Sequence, residues 1–185
     1  MTASMKTALQ DLNFSDVNFE LPFERLEQFN SSGYDSCEFM ISLNLGEALK
    51  PLTKIASGGE LSRIMLAMKS VLADQDEIPT LIFDEIDTGI SGRTAQMVSE
   101  KMAQIGANHQ ILCITHLSQI ASMADAHYLI EKSVSDGRTK TAIRELGTEE
   151  IYMELARMLG GAEITTAVVQ NAKEMKLLAD KIKTY

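Results

Sequence analysis

Residues 79–92 read PTLIFDEIDTGISG, and this stretch decides the fold class. Residues 79–83 form a continuous apolar run, which is typical of a strand covered on both faces. The run ends in two adjacent carboxylates, Asp84 and Glu85. Because ligands bind at the carboxyl ends of the strands in open α/β sheets, the acid pair predicts a site at that edge.

The sequence on either side of this stretch alternates between helical and strand-like patterns. Residues 61–72 carry apolar side chains at helical spacing, and a second helix is expected from about residue 91 to residue 106. A buried-type strand at 110–115 follows, then His116 and a short helix from residue 117. This order predicts an α/β fold, a mostly parallel sheet flanked by helices, with His116 at the same edge as the acids.

The remaining sequence adds elements on both sides of this centre. Residues 1–16 are expected to be a polar, partly helical lead-in, and residues 17–185 to be one domain. The stretch 22–34 is expected to be loop or short helix. The further elements that we expect are strands at 17–21, 37–43, 126–132 and 139–146, the last two joined by a turn at 136–137, and helices at 148–159 and 164–183.

The composition narrows the class of protein. Acidic residues outnumber basic ones, 26 to 17, for a formal net charge of -9. This balance argues against the chain as the main DNA-binding surface, because phosphate binding needs concentrated positive charge. The apolar runs are too short to cross a bilayer and the start does not match a secretory signal, so we expect a cytoplasmic protein without a membrane partner. Cys37 and Cys113 lie in apolar, strand-like contexts and are expected to be buried free thiols.

The acid pair has the residue types that nucleotide hydrolysis needs. One carboxylate can orient Mg²⁺, a hard cation that prefers oxygen ligands. The next can position or deprotonate the attacking water. Taken alone, Asp84 and Glu85 fit a strand end with solvated acids equally well.

Two further elements suit phosphate chemistry. The sequence SGGE at 57–60 directly precedes a helix, whose free amides and positive dipole favour an anion, and its glycines allow a ligand to come close. The alternative is that Ser57 is a helix N-cap next to flexible glycines. His116 could hydrogen-bond a γ-phosphate or the attacking water, or it could be a structural histidine.

Together, the order and spacing of these elements resemble the ABC-type ATPases. The stretch ASGGELSR at 56–63 resembles the signature motif, LIFDE at 81–85 resembles Walker B, IDTGISG at 86–92 resembles the D-loop, and ITH at 114–116 resembles the H-loop. Within that class, the sequences of residues 54–63, 83–92 and 115–121 are similar to those of the SMC-like RecN family of bacterial DNA repair proteins. The resemblance runs from about Phe19 to the end of the chain.

One element of the resemblance is missing. The chain contains no G-x-x-x-x-G-K-[ST] stretch, the phosphate-binding loop called Walker A. The resemblance implies that this loop lies in an N-terminal lobe, separated from the C-terminal lobe by a long coiled coil. We therefore expect the C-terminal lobe of an ATPase head without its Walker A lobe, with residues 1–16 leading in from the coiled-coil side. A half-sheet of this kind should expose apolar surface.

The resemblance also implies roles for individual residues in a sandwich of two heads around two ATP molecules. Asp84 would help to hold Mg²⁺, and Glu85 and His116 would be catalytic. The ATP-binding residues would be Ser57, Gly58, Gly59 and Glu60, which face the ATP of the partner head, and Asp87 at the head–head contact.

The implied protein is an ATPase that acts at the nucleoid in DNA double-strand-break repair and recombination. Its partners would be its own N-terminal Walker A lobe and coiled coil, a second head in a head-to-head homodimer, and DNA through the intact protein. ATP and Mg²⁺ are expected to bind only with the N-terminal lobe present, so this chain alone should be inactive.

Two other functions and one residue stay open at this point. The chain could be part of the nucleotide-binding subunit of an ABC transporter, although the strand at 37–43 leads into the signature region without the Q-loop of that class. It could also be an interaction module that caps another protein's ATP without hydrolysing it. Arg63 could reach the phosphate region or form a surface salt bridge.

Overall fold

The structure, a computed structural model, describes residues 1–31, 33–72, 78–135, 138–161 and 163–183. The chain divides into two compact units, Met1–Ile114 and Thr115–Tyr185. The elements of the first unit, in chain order, are α1 (Thr2–Asp11), β1 (Asn18–Glu20), β2 (Phe23–Asn30), β3 (Gly33–Cys37), β4 (Met40–Ser42), β5 (Lys50–Pro51), a 3-10 turn (Leu52–Lys54), α2 (Gly58–Leu72), β6 (Thr80–Phe83), α3 (Gly92–Gly106) and β7 (Gln110–Cys113).

Strands β6 and β7 form the parallel pair that the sequence predicts. They are in register from Thr80 opposite Gln110 to Phe83 opposite Cys113, and α3 makes the crossover between them. A further backbone hydrogen bond, from Ile114 N to Phe83 O at 3.1 Å, extends the pairing to the carboxyl end. Both predicted sites, after β6 and after β7, therefore follow the carboxyl ends of neighbouring parallel strands.

The prediction that this sheet is covered on both faces is wrong for the chain as it stands. Leu81 and Phe83 are buried, but Ile82 between them is 68% exposed and Leu112 of β7 is 48% exposed. Helices of the unit cover one face, and the described residues leave the other open. An exposed apolar face is the expected consequence of a half-sheet without its partner lobe.

The other strands of the first unit pair antiparallel, so among the described residues the predicted parallel pairing is limited to β6 and β7, and the fold is mixed α/β. Strands β1, β4 and β5 form a three-stranded sheet in that order, and β2 pairs with β3. The prediction of loop or short helix at 22–34 is wrong, because this segment holds β2 and the start of β3. Nearly all of β2 is exposed, so the period-2 burial pattern that marks a strand is missing from its sequence. The ring of Phe29 packs edge-on against Tyr34 across the hairpin, with 5.1 Å between centroids.

The strand predicted at 37–43 is divided. Cys37 ends β3, and β4 begins only at Met40. The thiol of Cys37 is therefore exposed rather than buried, while Cys113 is half-buried; both are free cysteines, as predicted. The difference arises because Cys37 pairs with Phe23 in a hairpin that packs on little else.

Helices α1, α2 and α3 contribute most of the core of the first unit. The stripe predicted for α3 is confirmed, because Ala95, Val98, Met102 and Ile105 are all buried. Helix α1 packs against α2, with Met5 and Leu9 fully buried at i, i+4 spacing. The predicted lead-in is thus helical, but its apolar stripe belongs to the core.

The second unit consists of a hairpin and three helices. Its elements are α4 (Ser118–Ser122), β8 (Tyr128–Ser135), β9 (Arg138–Glu145), α5 (Thr148–Gly160) and α6 (Thr166–Ile182). Strands β8 and β9 pair antiparallel, as predicted; the predicted turn at 136–137 lies outside the described residues. Leu155 and Ala156 of α5 pack with Ala172 of α6 to form the unit's core. No helix in the described part of the chain is both long and apolar enough to span a membrane.

Candidate functional site

The start of α2 carries the SGGE stretch. The hydroxyl oxygen of Ser57 accepts a hydrogen bond from the backbone N–H of Glu60 at 3.3 Å, so Ser57 caps the helix. Gly58 is exposed and Gly59 is buried in the first turn. The N-cap interpretation of Ser57 is therefore confirmed, and Ser57 satisfies one of the first-turn amides that an anion site would otherwise use.

The acid pair lies in a tight turn directly after β6. Asp84 and Glu85 are both exposed, and an Oδ1 oxygen of Asp84 accepts the N–H of Glu85 at 3.0 Å. Glu85 has φ of 56°, in the left-handed region that non-glycine residues rarely adopt. The N–H of Thr88 donates to the carbonyl of Glu85 at 3.0 Å and closes the turn. A left-handed glutamate costs about 1–2 kcal/mol, so the surrounding contacts must hold it.

The structure brings these two segments, 57–60 and 84–88, into direct contact. A β-carbon on Gly58 would lie 2.6 Å from Oε2 of Glu85. On Gly59, it would lie 2.8 Å from the carbonyl oxygen of Thr88 and 3.0 Å from that of Glu85. Gly59 is thus required by the close approach of the backbone of the acid turn, whereas the neighbour of Gly58 is the flexible carboxylate of Glu85.

Two side chains one turn further along α2 hold the same segment. Ser62 donates its hydroxyl to the carbonyl of Asp84 at 2.9 Å. Nη1 of Arg63 donates to the carbonyls of Ile86 at 3.3 Å and Thr88 at 3.0 Å. Sequence reasoning missed Ser62 entirely. The available signal was the helical spacing that puts it on the same end of α2 as the glycines.

Arg63 does not form the surface salt bridge that was one of the two roles left open for it. Its side chain is buried, 7% exposed, and its guanidinium lies over the ring of Phe14 at 5.4 Å from the centroid. Burial lowers the pKa of Arg63, while the nearby carboxylate of Glu60 acts in the opposite direction. Arg63 is therefore a buried side chain that holds the backbone of the acid turn, and it is not part of a surface ion pair.

The acids also shape the environment of β7. Burial raises the pKa of the Cys113 thiol to about 12, with further contributions from Asp87 and Asp84. Asp87 is itself only 4% exposed. The predicted contact residue Asp87 is thus inside the first unit, beside the end of β7, and the thiol of Cys113 stays protonated near neutral pH.

His116 belongs to the second unit and is exposed. The residue before it, Thr115, accepts the N–H of Leu117 on its hydroxyl at 3.0 Å, in the segment that leads into α4. The structure therefore brings together segments 57–60 and 84–88 within one unit, and places His116 at the beginning of the other.

Comparison with known proteins decides the family. The chain is 48% identical over 157 residues to the DNA repair protein RecN of Bacillus subtilis, a match that covers 85% of the chain and 27% of that protein. It is 44% identical over 187 residues to RecN of Halalkalibacterium halodurans, covering 99% of the chain and 33% of that protein. The chain belongs to the RecN family. It corresponds to the C-terminal part of that protein and spans about a quarter to a third of the length of these relatives.

Solved structures agree with this family at the level of the fold. The Smc head domain with coiled coil and joint from Pyrococcus yayanosii aligns with a TM-score of 0.57 and 19% identity, over 93% of the chain and 29% of that structure. A second match, from work on ATP-driven dimerization and DNA-stimulated activation of SMC ATPases, has a TM-score of 0.50 and 21% identity, over 88% and 92%. No protein-family model matches the chain. The predicted fold class, the C-terminal lobe of an ATPase head, is confirmed, and a transporter subunit is not favoured.

In this RecN-family chain, the side chains near the acid turn could hold Mg²⁺ only together with the phosphates of a nucleotide. Within the described ranges, no group of three or more histidine, cysteine, aspartate or glutamate side chains could hold a metal ion. Mg²⁺ commonly binds through one or two carboxylates plus substrate phosphates and waters. The exposed carboxylate of Asp84 fits that pattern as a single protein ligand.

Proposed function

We propose that this chain supplies most of the catalytic residues of a RecN-family ATPase head that acts in DNA double-strand-break repair and recombination. The observation that carries the proposal is the contact between Glu85, held left-handed at the end of β6, and Gly58 at the start of α2. The names of the relatives support DNA repair, and the SMC fold supports an ATPase head. Residues 17–185 would form the C-terminal lobe and residues 1–16 would adjoin the coiled coil.

The proposed chemistry is phosphoryl transfer to water, which proteins catalyse by positioning and charge stabilisation. Asp84 would hold Mg²⁺ together with the phosphates of ATP, and this ion would neutralise charge on them. Glu85 would orient the attacking water and accept its proton, and His116 would hydrogen-bond the γ-phosphate. Across the head–head contact, the residues that bind the partner's ATP would be Ser57, Gly58, Gly59 and Glu60, with Asp87 supporting that contact from inside the acid turn.

The proposed partners follow from the parts that the chain lacks. ATP and Mg²⁺ would bind only with the N-terminal Walker A lobe and its coiled coil, and the exposed face of β6 and β7 is where that lobe would pack. Parallel sheets are normally covered on both faces, whereas the face of β6 and β7 that carries Ile82 and Leu112 is exposed. A second head would complete the homodimer. DNA would bind elsewhere in the intact protein, at the nucleoid in the cytoplasm, because this part carries a net charge of -9.

The test is steady-state ATP hydrolysis by a full-length RecN-family protein whose C-terminal part is this chain. The substitution Glu85→Gln should lower kcat by about 100-fold or more, because it removes the proton acceptor while keeping the shape of the side chain. ATP binding, followed by a fluorescent analogue, should be retained. Glu24→Gln, at an exposed position of β2, is the matched control and should hydrolyse at the unsubstituted rate. Hydrolysis by Glu85→Gln at the control rate would exclude the proposal.

A further inference from the structure

Residues of α2 hold the backbone on both sides of Glu85, and this geometry suggests how the carboxylate is aimed. On the N-terminal side, the carbonyl of Asp84 accepts the hydroxyl of Ser62. On the C-terminal side, the carbonyls of Ile86 and Thr88 accept Nη1 of Arg63. We propose that Arg63, assisted by Ser62, is a positioning residue for Glu85 in ATP hydrolysis. This inference rests on the proposed catalytic role of Glu85.

The conformation of Glu85 needs such support. A left-handed φ is unfavourable for a glutamate, and the side chain is exposed, so its own packing does not hold the backbone in place. The peptide carbonyl before Glu85 is bonded to Ser62, and the carbonyls of Ile86 and Thr88, further along the turn, are bonded to Arg63, so the backbone around Glu85 is restrained from both sides. This restraint sets the direction in which the side chain of Glu85 leaves the backbone, and its carboxylate lies beside Gly58.

Arginine is suited to this role by charge and geometry. A single guanidinium nitrogen reaches two carbonyl oxygens of the turn, and the planar group stacks on Phe14 at the same time. Burying a guanidinium costs free energy unless its N–H donors are hydrogen-bonded. The burial of Arg63 therefore depends on its hydrogen bonds to the turn. The turn and the start of α2 are therefore one rigid element.

Gly59 and Arg63 both contact the acid turn from the same helix. Gly59 lies against the carbonyls of Glu85 and Thr88, with no room for a β-carbon. Four residues later on the same helix, Arg63 contacts the same carbonyl of Thr88. Loss of the arginine would free the acid turn from one anchor and leave the glycine contact and Ser62 as the others.

The experiment compares Arg63→Met, Arg63→Lys and Ser62→Ala in the same full-length protein, with Arg138→Met as a control at an exposed arginine of β9. Arg63→Met should lower kcat by about 10- to 100-fold, because a misplaced catalytic group loses its alignment. The KM for ATP should stay within about twofold, since binding groups are untouched. Arg63→Lys should recover part of the rate, because it keeps a charged donor. Arg138→Met should behave like the unsubstituted protein.

A readout that distinguishes positioning of Glu85 from an independent effect is the combination of Arg63→Met with Glu85→Gln. If Arg63 acts through Glu85, Arg63→Met should cause no further loss of hydrolysis in the Glu85→Gln background. A full additional loss there, or a normal kcat for Arg63→Met with Glu85→Gln inactive, would overturn the positioning role alone. Normal hydrolysis by Glu85→Gln would instead overturn the proposed function. If Arg63→Met does not fold, Ser62→Ala and Arg63→Lys decide: both should lower kcat, and unchanged rates would refute the inference.

Discussion

At the scale of single residues, the two glycines at the start of α2 lie against the acid turn that follows β6. Both positions could be identified from the sequence as part of an SGGE stretch before a helix. The reason for Gly59 could not, because the carbonyls that it meets come from residues 26 and 29 positions later in the chain. The contacts of Arg63 were unpredictable for the same reason, since a hydrogen bond to a distant turn leaves no local pattern.

Gly59→Ala should destabilise the chain by about 1–3 kcal/mol, because the new methyl group would overlap backbone atoms that cannot move away cheaply. Urea unfolding followed by circular dichroism measures this change. Gly106→Ala in α3 is the matched control, since its β-carbon would meet nothing closer than 3.8 Å. It should be neutral or stabilising by up to about 1 kcal/mol, from helix propensity alone. Equal behaviour of the two variants would show that the close contact at Gly59 is absent in solution.

At the scale of elements, success of prediction depended on burial. The helices α2 and α3 could be placed because their buried faces impose regular apolar spacing, and the strands β6 and β7 because their sequences are continuous apolar runs. The hairpin of β2 and β3 could not, because its residues are nearly all exposed and its pairing relies on backbone hydrogen bonds and a few cross-strand contacts. Helix α6 was predicted, but the hydrogen bonds and ion pairs of its lysine side chains were not.

The attachment of α6 is a network of charges around His127. Nζ of Lys176 donates to the carbonyl of Ala124 at 2.9 Å and to Asp180 at 2.6 Å, and Lys183 contacts Asp125 at 2.6 Å. Burial lowers the pKa of His127, as do the positive charges of Lys176 and Lys183. Nε2 of His127 is buried, and no partner for it is found among the described residues.

Acid should therefore weaken the fold through His127. Because its pKa is lowered in the folded chain, the unfolded chain binds the extra proton more readily, and stability is lost as pH falls below ~6.5. The free energy of unfolding, measured by urea titration between pH 8 and pH 5, should fall less steeply in His127→Gln than in the unsubstituted chain. Identical slopes for the two proteins would contradict this assignment.

At the scale of the whole molecule, the chain holds a nearly complete set of acidic and signature residues but not a phosphate-binding loop. The family and the fold class could be predicted from the motifs, because their order and spacing are specific even when each motif alone is not. The burial of both faces of the parallel pair was predicted wrongly, because burial depends on partners that the sequence pattern presupposes and this chain does not contain. We propose that the open face at Ile82 and Leu112 is where the lobe that carries the missing loop packs.

The most direct test of the central claim is a complementation assay of ATP hydrolysis. This chain, the remaining Walker A part of a RecN-family protein, and a mixture of the two are assayed for Mg²⁺-dependent phosphate release. We predict no turnover above background for either part and turnover in the mixture that Glu85→Gln in this chain abolishes. Robust hydrolysis by this chain alone, or a mixture that is active regardless of Glu85, would contradict the account.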